Sequence, residues 1–528
     1  MSMTKIELSA QQLVAAANNK KIWGDLIVNV LDYKVAGDGK KDDTAALQSL
    51  INSVTSGTTI VFPPGRYKIS APIVWGNKTL HLFSWGDAVI VEGIPLNAPM
   101  IQMTNANNST VFGLTCEGAE TLAGFAGADA KHYAFIKVIT SANVTLTQLF
   151  IKNKTYGIYL DTCYKCEVDG ITLEGFLVTG SLAENGANYS SGANIKGGEH
   201  NIISNLTAKN MGSGVLAGGD GRYHMIENIY LENIRDNGIY ISSGEACKIA
   251  KVHVTSAPNN AGVKARGSKH VVRGCTVKNA FVGYALTGNG LTVDSLGYNG
   301  YGSICEGNTA ENCSRMGLEI NSQDGFFPRD FKVLNNNFIN CGEAGTTYAP
   351  IKVVQGSGHQ IKGNLIDGSP SDFGILINGA VGDRSKKLDV SKNVIRGNAA
   401  TPKNGIRLLY VDGSTIAENN FENLLTNGVD CRFVDNSLID GNVYLTSLVV
   451  SLSTSFQSNS NIVCNNIGSN VGMDFTKNIA HGNIPTSKNY HSSIVAAPYA
   501  IGQKALVSGV IYEAVGTGST ADWKQITN

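Results

Sequence analysis

The chain has 528 residues, 42 Lys plus Arg against 42 Asp plus Glu, 60 Gly and only 12 Pro. That balance of charge excludes a nucleic-acid binder that relies on a strongly basic face. No apolar run reaches the ~20 residues that would cross a bilayer, and the length allows either several ordinary domains or one long repeat domain.

In chain order, residues 1–24 read as a polar, partly helical lead without the continuous apolar core of a Sec signal. The expectation is folding in a host cytoplasm and release by another route such as lysis. Residues 25–100 read as a cap and the first strands, 101–485 as a coil stack whose pattern weakens after about 450, and 486–528 as a small C-terminal β module for capping, trimerisation or glycan binding. Of the ten cysteines, only Cys163 and Cys166 form a CxxC, and most lie in apolar, strand-like runs. They are expected as buried small hydrophobes in a protein that folds under reducing conditions.

Within the cap, GDGKKDD (Gly37–Asp43) lacks the spacing of a phosphate loop and of an EF-hand. Asp42, Asp43 or Thr44 is placed to cap a helix whose apolar face is Ala46, Leu47, Leu50 and Ile51. TTIVFPPGRYKIS then predicts a strand, a Pro-Pro-Gly turn and a second strand. A short helix in front of a Gly-rich array suits the covering of a solenoid's open end.

The array is a repeat. YGIYLD, SGVLAG, NGIYIS, AGVKAR, VGYALT, MGLEIN, FGILIN, NGIRLL and NGVDCR share a Gly followed by an apolar residue or, in VGYALT, by Tyr284. Gly214, Gly238, Gly262 and Gly283 are 24, 24 and 21 residues apart. Between them lie strands with Asn-rich ends, such as IISNLTAKN and KVLNNNFIN. Period-2 alternation with Asn and Gly at the corners means short strands and tight turns. A repeat of this length predicts an all-β fold, a parallel β-helix with coils stacked at ~4.8 Å. It lacks the consensus of leucine-rich repeats and is too short for propeller blades.

GDGKKDDTAALQSLI followed by TIVFPPGRYKIS resembles the opening motif of the pectate-lyase-like superfamily of right-handed β-helices, common in bacteriophage tailspikes and capsular depolymerases. The resemblance implies a homotrimer of β-helices on a virion tail. It would contact other phage tail or baseplate proteins and would bind and cleave a bacterial surface polysaccharide. It implies no nucleic acid and no membrane insertion.

If the residue after each landmark Gly points inward, the second and fourth point out. The outward set then includes Tyr240, Lys264, Arg266, Glu319, Leu216 and Leu376, the two leucines being assigned to a trimer contact. This face mixes aromatic, cationic and acidic groups, as a glycan site requires. Three segments flank it: AGGDGRYHM with His224; TGNGLTVDSLGYNGYGS with Asp294, Tyr298 and Tyr301; and NSQDGFFPRDF with Asp324, Phe326 and Arg329. Long loops on a solenoid usually build the binding face.

Endo-glycoside hydrolysis needs two carboxyls. Glu319 is the first candidate, with Asp324, Asp294 or Asp236 as partner. Elimination from a uronic acid is the rival, with Lys264 and Arg266 neutralising the sugar carboxylate and His224 or Tyr240 as base or acid. The polygalacturonase signatures do not occur together, which argues against pectin itself. A non-catalytic receptor-binding fibre is the third reading. Hydrolysis needs no cofactor, elimination can use Ca²⁺, and no carboxylate run has calcium-site spacing.

Overall fold

The computed structural model describes residues 26–525 except 85, 95, 97, 120–133, 176–189, 289–299, 323–326, 398–403, 453–457, 473–477, 482–483, 486–503, 508–509 and 515–522. Chain contacts separate two units, 1–259 and 260–528. Each is a stack of parallel coils, and the fold is the expected right-handed parallel β-helix.

The cap begins as the sequence predicts. The helix Thr44–Ser53 buries Leu47, Leu50 and Ile51, while Ala46 stays half-exposed. The two aspartates divide the work of its N-terminus. Asp42 Oδ1 accepts from the Thr44 amide at 2.9 Å. Asp43 turns back instead, accepting from the amides of Ala36 and Gly37 at 2.6 and 3.0 Å, so it ties the preceding loop to the helix. Strands Thr58–Phe62 and Gly65–Ile69 follow around the Pro-Pro turn.

Each coil has three walls. In the first unit the front wall is built by Ile73–Gly76, Ile101–Thr104, Ala134–Ile139, Tyr156–Asp161, Ser191–Lys196, Ser213–Gly218 and Ile239–Ile241, paired in that order. In the second unit it is built by Ala280–Thr287, Met316–Asn321, Ile351–Val354, Phe373–Asn378, Asn404–Asp412 and Asn427–Asp435. Shorter strands form the other two walls, for example Lys332–Leu334 and Asn337–Ile339. Alternate residues fill the interior, where Ile320, Val333, Phe338 and Val353 have no exposure.

The corner between the second and third walls carries a buried asparagine ladder: Asn308, Asn336, Asn364, Asn393, Asn419, Asn442 and Asn466. Asn393 shows how the amide is satisfied. Its Oδ1 accepts from the Asn364 backbone amide at 3.0 Å and from Asn364 Nδ2 at 2.9 Å. Its own Nδ2 donates to the Ile361 carbonyl and to Asn419 Oδ1, both at 2.9 Å. Every polar valence of a fully buried side chain is used, so the ladder fixes coil register without leaving an unpaired group. The residue before each ladder position is left-handed: Gly307, Asn335, Gly363, Lys392, Glu418, Gly441 and Asn465. That is why Gly and Asn recur there.

All ten cysteines are buried and none forms a disulfide. At the end of the chain, Lys504–Val507, Val510–Ala514 and Trp523–Gln525 form a three-stranded antiparallel sheet, unlike the parallel coils.

Candidate functional site

Strand alternation puts one outward residue of each front-wall strand into a single column. In the second unit, register sets Ala285 beside Glu319, then Lys352, Leu376, Arg407 and Asp430. A second column holds Thr287, Asn321, Val354, Asn378, Leu409 and Arg432. In the first unit the matching column runs Gln102, Lys137, Tyr159, Asn194, Leu216 and Tyr240.

Glu319 is half-buried in its column, between Ala285 and Lys352. Burial pushes its carboxyl above the usual carboxylate range, while the positive charges of Lys352, Lys264 and Arg315 pull it back. Its carboxyl accepts a hydrogen bond from Asn321 Nδ2, at 3.2 Å. Lys352, one rung along, is pushed below the usual lysine range, chiefly by its own burial.

Beside these groups lies an aromatic clamp. The Arg315 guanidinium sits 4.5 Å from the centre of the Phe281 ring and 4.0 Å from that of Tyr348. Lys352 Nζ is 4.7 Å from the same Tyr348 ring. Phe281 and Tyr348 rest on a shallow apolar cluster of Ala261, Val282, Ala285 and Met316. A closed turn presents Tyr348: its carbonyl accepts from the Glu343 amide at 3.1 Å, and its amide donates to Thr346 Oγ1 at 3.2 Å. The arrangement joins flat aromatic surface, fixed positive charge and a carboxyl held in a partly dry site.

The sequence candidates divide sharply. Glu319 and Lys264 are brought into electrostatic reach of each other. Arg266 ends the same strand as Lys264, and its carbonyl contacts His270 Nε2 at 3.0 Å. Tyr301 and Arg329 meet on neighbouring coils, with the Arg329 guanidinium 5.7 Å from the Tyr301 ring, but at the corner after the front wall. Tyr240 points out from the front wall of the first unit. Asp294, Asp324, Tyr298 and Phe326 lie outside the described residues.

Three expectations are corrected by burial. His224 is 1 % exposed; its Nδ1 accepts from the Asn201 amide at 3.3 Å, and burial pushes it down to about 4. It serves an inner corner and cannot reach a glycan. The segment that carries it is no loop insertion, because Arg222 already pairs with Glu199 and the next strand starts at Met225. Asp236 is buried in the turn before Ile239–Ile241, where its Oδ2 accepts from Asn237 Nδ2 at 2.7 Å. Leu376 is covered by Ala349 and Phe373 of its own chain and has little surface left for a partner.

Sequence reasoning missed Lys352, Arg315, Phe281 and Tyr348. Lys352 escaped because its strand carries Pro350 where neighbouring strands carry the landmark Gly: the Gly317 position abuts the Pro350 carbonyl. The longer corner CGEAGTTYAP, with its lone Tyr348, was the available signal for the clamp.

Glu319 and Asp430 are both carboxylates in one column, yet four rungs separate them, about 19 Å at the inter-strand spacing. That exceeds the separation of a glycosidase pair, at most ~9.5 Å. Asp430 is also engaged, with Arg407 Nε at 2.7 Å and Arg432 Nη2 at 3.4 Å.

Residues 27–266 match the family described as rhamnogalacturonase A/epimerase, pectate lyase-like. Among curated proteins, a probable rhamnogalacturonase C of Aspergillus niger is 23% identical over 42% of this chain and 50% of its own length. The mannuronan C5-epimerase AlgE4 of Azotobacter vinelandii is 30% identical over 18% of this chain and 17% of its own. The chain therefore spans half or less of the length of these curated relatives. Among solved structures, the pre-mature bacteriophage phi29 gene product 12 aligns at TM-score 0.49 and 12% identity, covering 97% of this chain and 83% of that one. The AlgE4 A-module of Azotobacter vinelandii aligns at TM-score 0.41 and 15% identity, covering 75% and 96%. Residues 27–266 thus carry the pattern of a pectate lyase-like family, and the described coils have the parallel β-helix fold.

Proposed function

We propose that this protein is a tailspike-type depolymerase that binds and cuts a bacterial surface polysaccharide along the front wall around Glu319, by endo-glycoside hydrolysis. The observation that carries the reading is Glu319 itself: a half-buried carboxyl, raised above its usual range, among cations and beside an aromatic clamp. A carboxyl that keeps its proton to higher pH suits the general acid that protonates a leaving glycosidic oxygen. Asp324, a few residues after the Glu319 strand, and Asp294 are the proposed partners. The polysaccharide-directed names of the matched relatives, a probable rhamnogalacturonase and a mannuronan epimerase, support a carbohydrate chain as substrate. The opening motif supports the phage assignment, and with it a homotrimer on a virion tail and contacts with other tail proteins.

One observation favours elimination as a second reading. Lys352 is pushed below the usual lysine range, and a neutral amine is a competent base for the proton beside a uronate carboxylate.

Incubation with purified capsular polysaccharides, followed by reducing-end release and by ultraviolet absorbance of the unsaturated product, separates the readings. New reducing ends without absorbance mean hydrolysis. Both signals together mean elimination. Neither signal, with the polymer still bound, leaves a receptor-binding fibre.

A further inference from the structure

We propose that Arg315 is the specificity-determining residue of this site and that it docks a carboxylate carried by the sugar next to the scissile bond. This proposal rests on the front wall being the glycan site and names the substrate class it takes, a carboxylated polysaccharide.

Arg315 is held by rings and only loosely paired. Its guanidinium lies over two rings, 4.5 Å from the centre of Phe281 and 4.0 Å from that of Tyr348. Its side chain keeps 37% of its surface, so it stays open to a ligand. Among the described residues no acceptor lies within hydrogen-bond distance of its N–H donors, and the nearest carboxylate, Glu343, is 3.9 Å from Nε. A guanidinium held against two rings has already lost much of its rotational freedom, so ligand binding need not order it again. Its planar fork matches a carboxylate in two parallel hydrogen bonds. The backbone fixes the base of the clamp as well, since the Arg315 amide donates to the Phe281 carbonyl at 2.9 Å.

Its surroundings agree. Arg315 is close enough to Glu319 and to Lys352 to act on the charge of both. An anion on Arg315 therefore lies within reach of the carboxyl proposed to act on the glycan, and Lys352 adds a second positive charge beside it. Where Arg407 is pinned by Asp430 at 2.6 and 2.7 Å, Arg315 has no such partner among the described residues.

The test is affinity electrophoresis of the intact protein in gels containing each of a panel of capsular polysaccharides. It is repeated with the retained polymer after carbodiimide–borohydride reduction of its carboxyls. Wild type should be retained by a carboxylated polymer and lose roughly tenfold to a hundredfold in affinity on reduction, the worth of charge-assisted hydrogen bonds. Arg315→Leu should lose as much on the unreduced polymer and nothing further on the reduced one. Arg315→Lys keeps the charge without the fork, should fall between them, and carries the test if Arg315→Leu does not fold. Equal retention of either variant and wild type overturns the proposal, as does a wild type indifferent to carboxyl reduction. Retention of no polymer by wild type strikes the reading of the site itself and takes this proposal with it.

Discussion

Two stretches of the same front wall carry similar residues to opposite effect. Around Asp430, the charges are matched. Arg407 reaches Asp430 Oδ2 through Nε at 2.7 Å and Nη2 at 2.6 Å, Arg432 adds a third contact at 3.4 Å, and the Arg407 guanidinium lies 4.2 Å from the Phe373 ring. Around Glu319, three cations, Lys352, Lys264 and Arg315, act on one half-buried carboxyl. The first stretch is a closed cluster that stabilises its own coils. The second holds its charges more loosely, with Asn321 donating to Glu319 at 3.2 Å and Glu343 3.9 Å from Arg315 Nε, an arrangement in keeping with the proposed glycan site.

The sharpest way to break this contrast is Glu319→Gln. It keeps shape and removes the proton donor, so polymer cleavage should fall by about 10²–10⁴-fold with the melting temperature unchanged. Unaltered cleavage would remove Glu319 from the mechanism.

Asp430→Asn should do the reverse. Removing the acceptor leaves Arg407 and Arg432 crowded and uncompensated, at a cost of about 3–5 kcal/mol seen in denaturant unfolding. Binding affinity in the folded protein should change little. A variant that loses binding but not stability would show that the two stretches are one site.

Lys352→Met sharpens the electrostatics. Lys352 holds the Glu319 carboxyl down, so its removal should move the basic limb of the cleavage profile to higher pH under hydrolysis. Under elimination with Lys352 as base, cleavage should instead collapse at every pH.

The smallest effect concerns acid. His224 and His359 are buried and pushed down to about 4. Below an ordinary His value near 6.5 the unfolded chain binds protons that these groups refuse. Their contribution to stability is therefore whole above about 6.5 and is lost progressively as pH falls toward 4. Melting temperatures across that window should fall, and less so in His359→Gln. Parallel melts then tell whether an acidic loss of cleavage reflects the site or the scaffold.

The amino-acid sequence by itself determined the scaffold. Helix and turn chemistry marked the cap, the spacing of glycines marked the coils, and Asn at the corners marked where the chain bends, because each of these follows from local backbone preference. It also placed Lys264 and Glu319 outward, since strand alternation is a local rule. It failed at Lys352, where Pro350 replaces the landmark, and at His224, where a polar residue faces inward to satisfy a neighbouring coil. Phe281, Arg315 and Tyr348 lie on three successive coils, and only the stacking of coils brings a guanidinium over two rings. Which cation finds a partner, and how far burial raises a carboxyl, depend on neighbours some thirty residues away along the chain. Those are decided by tertiary structure alone, because desolvation and ion pairing act through space.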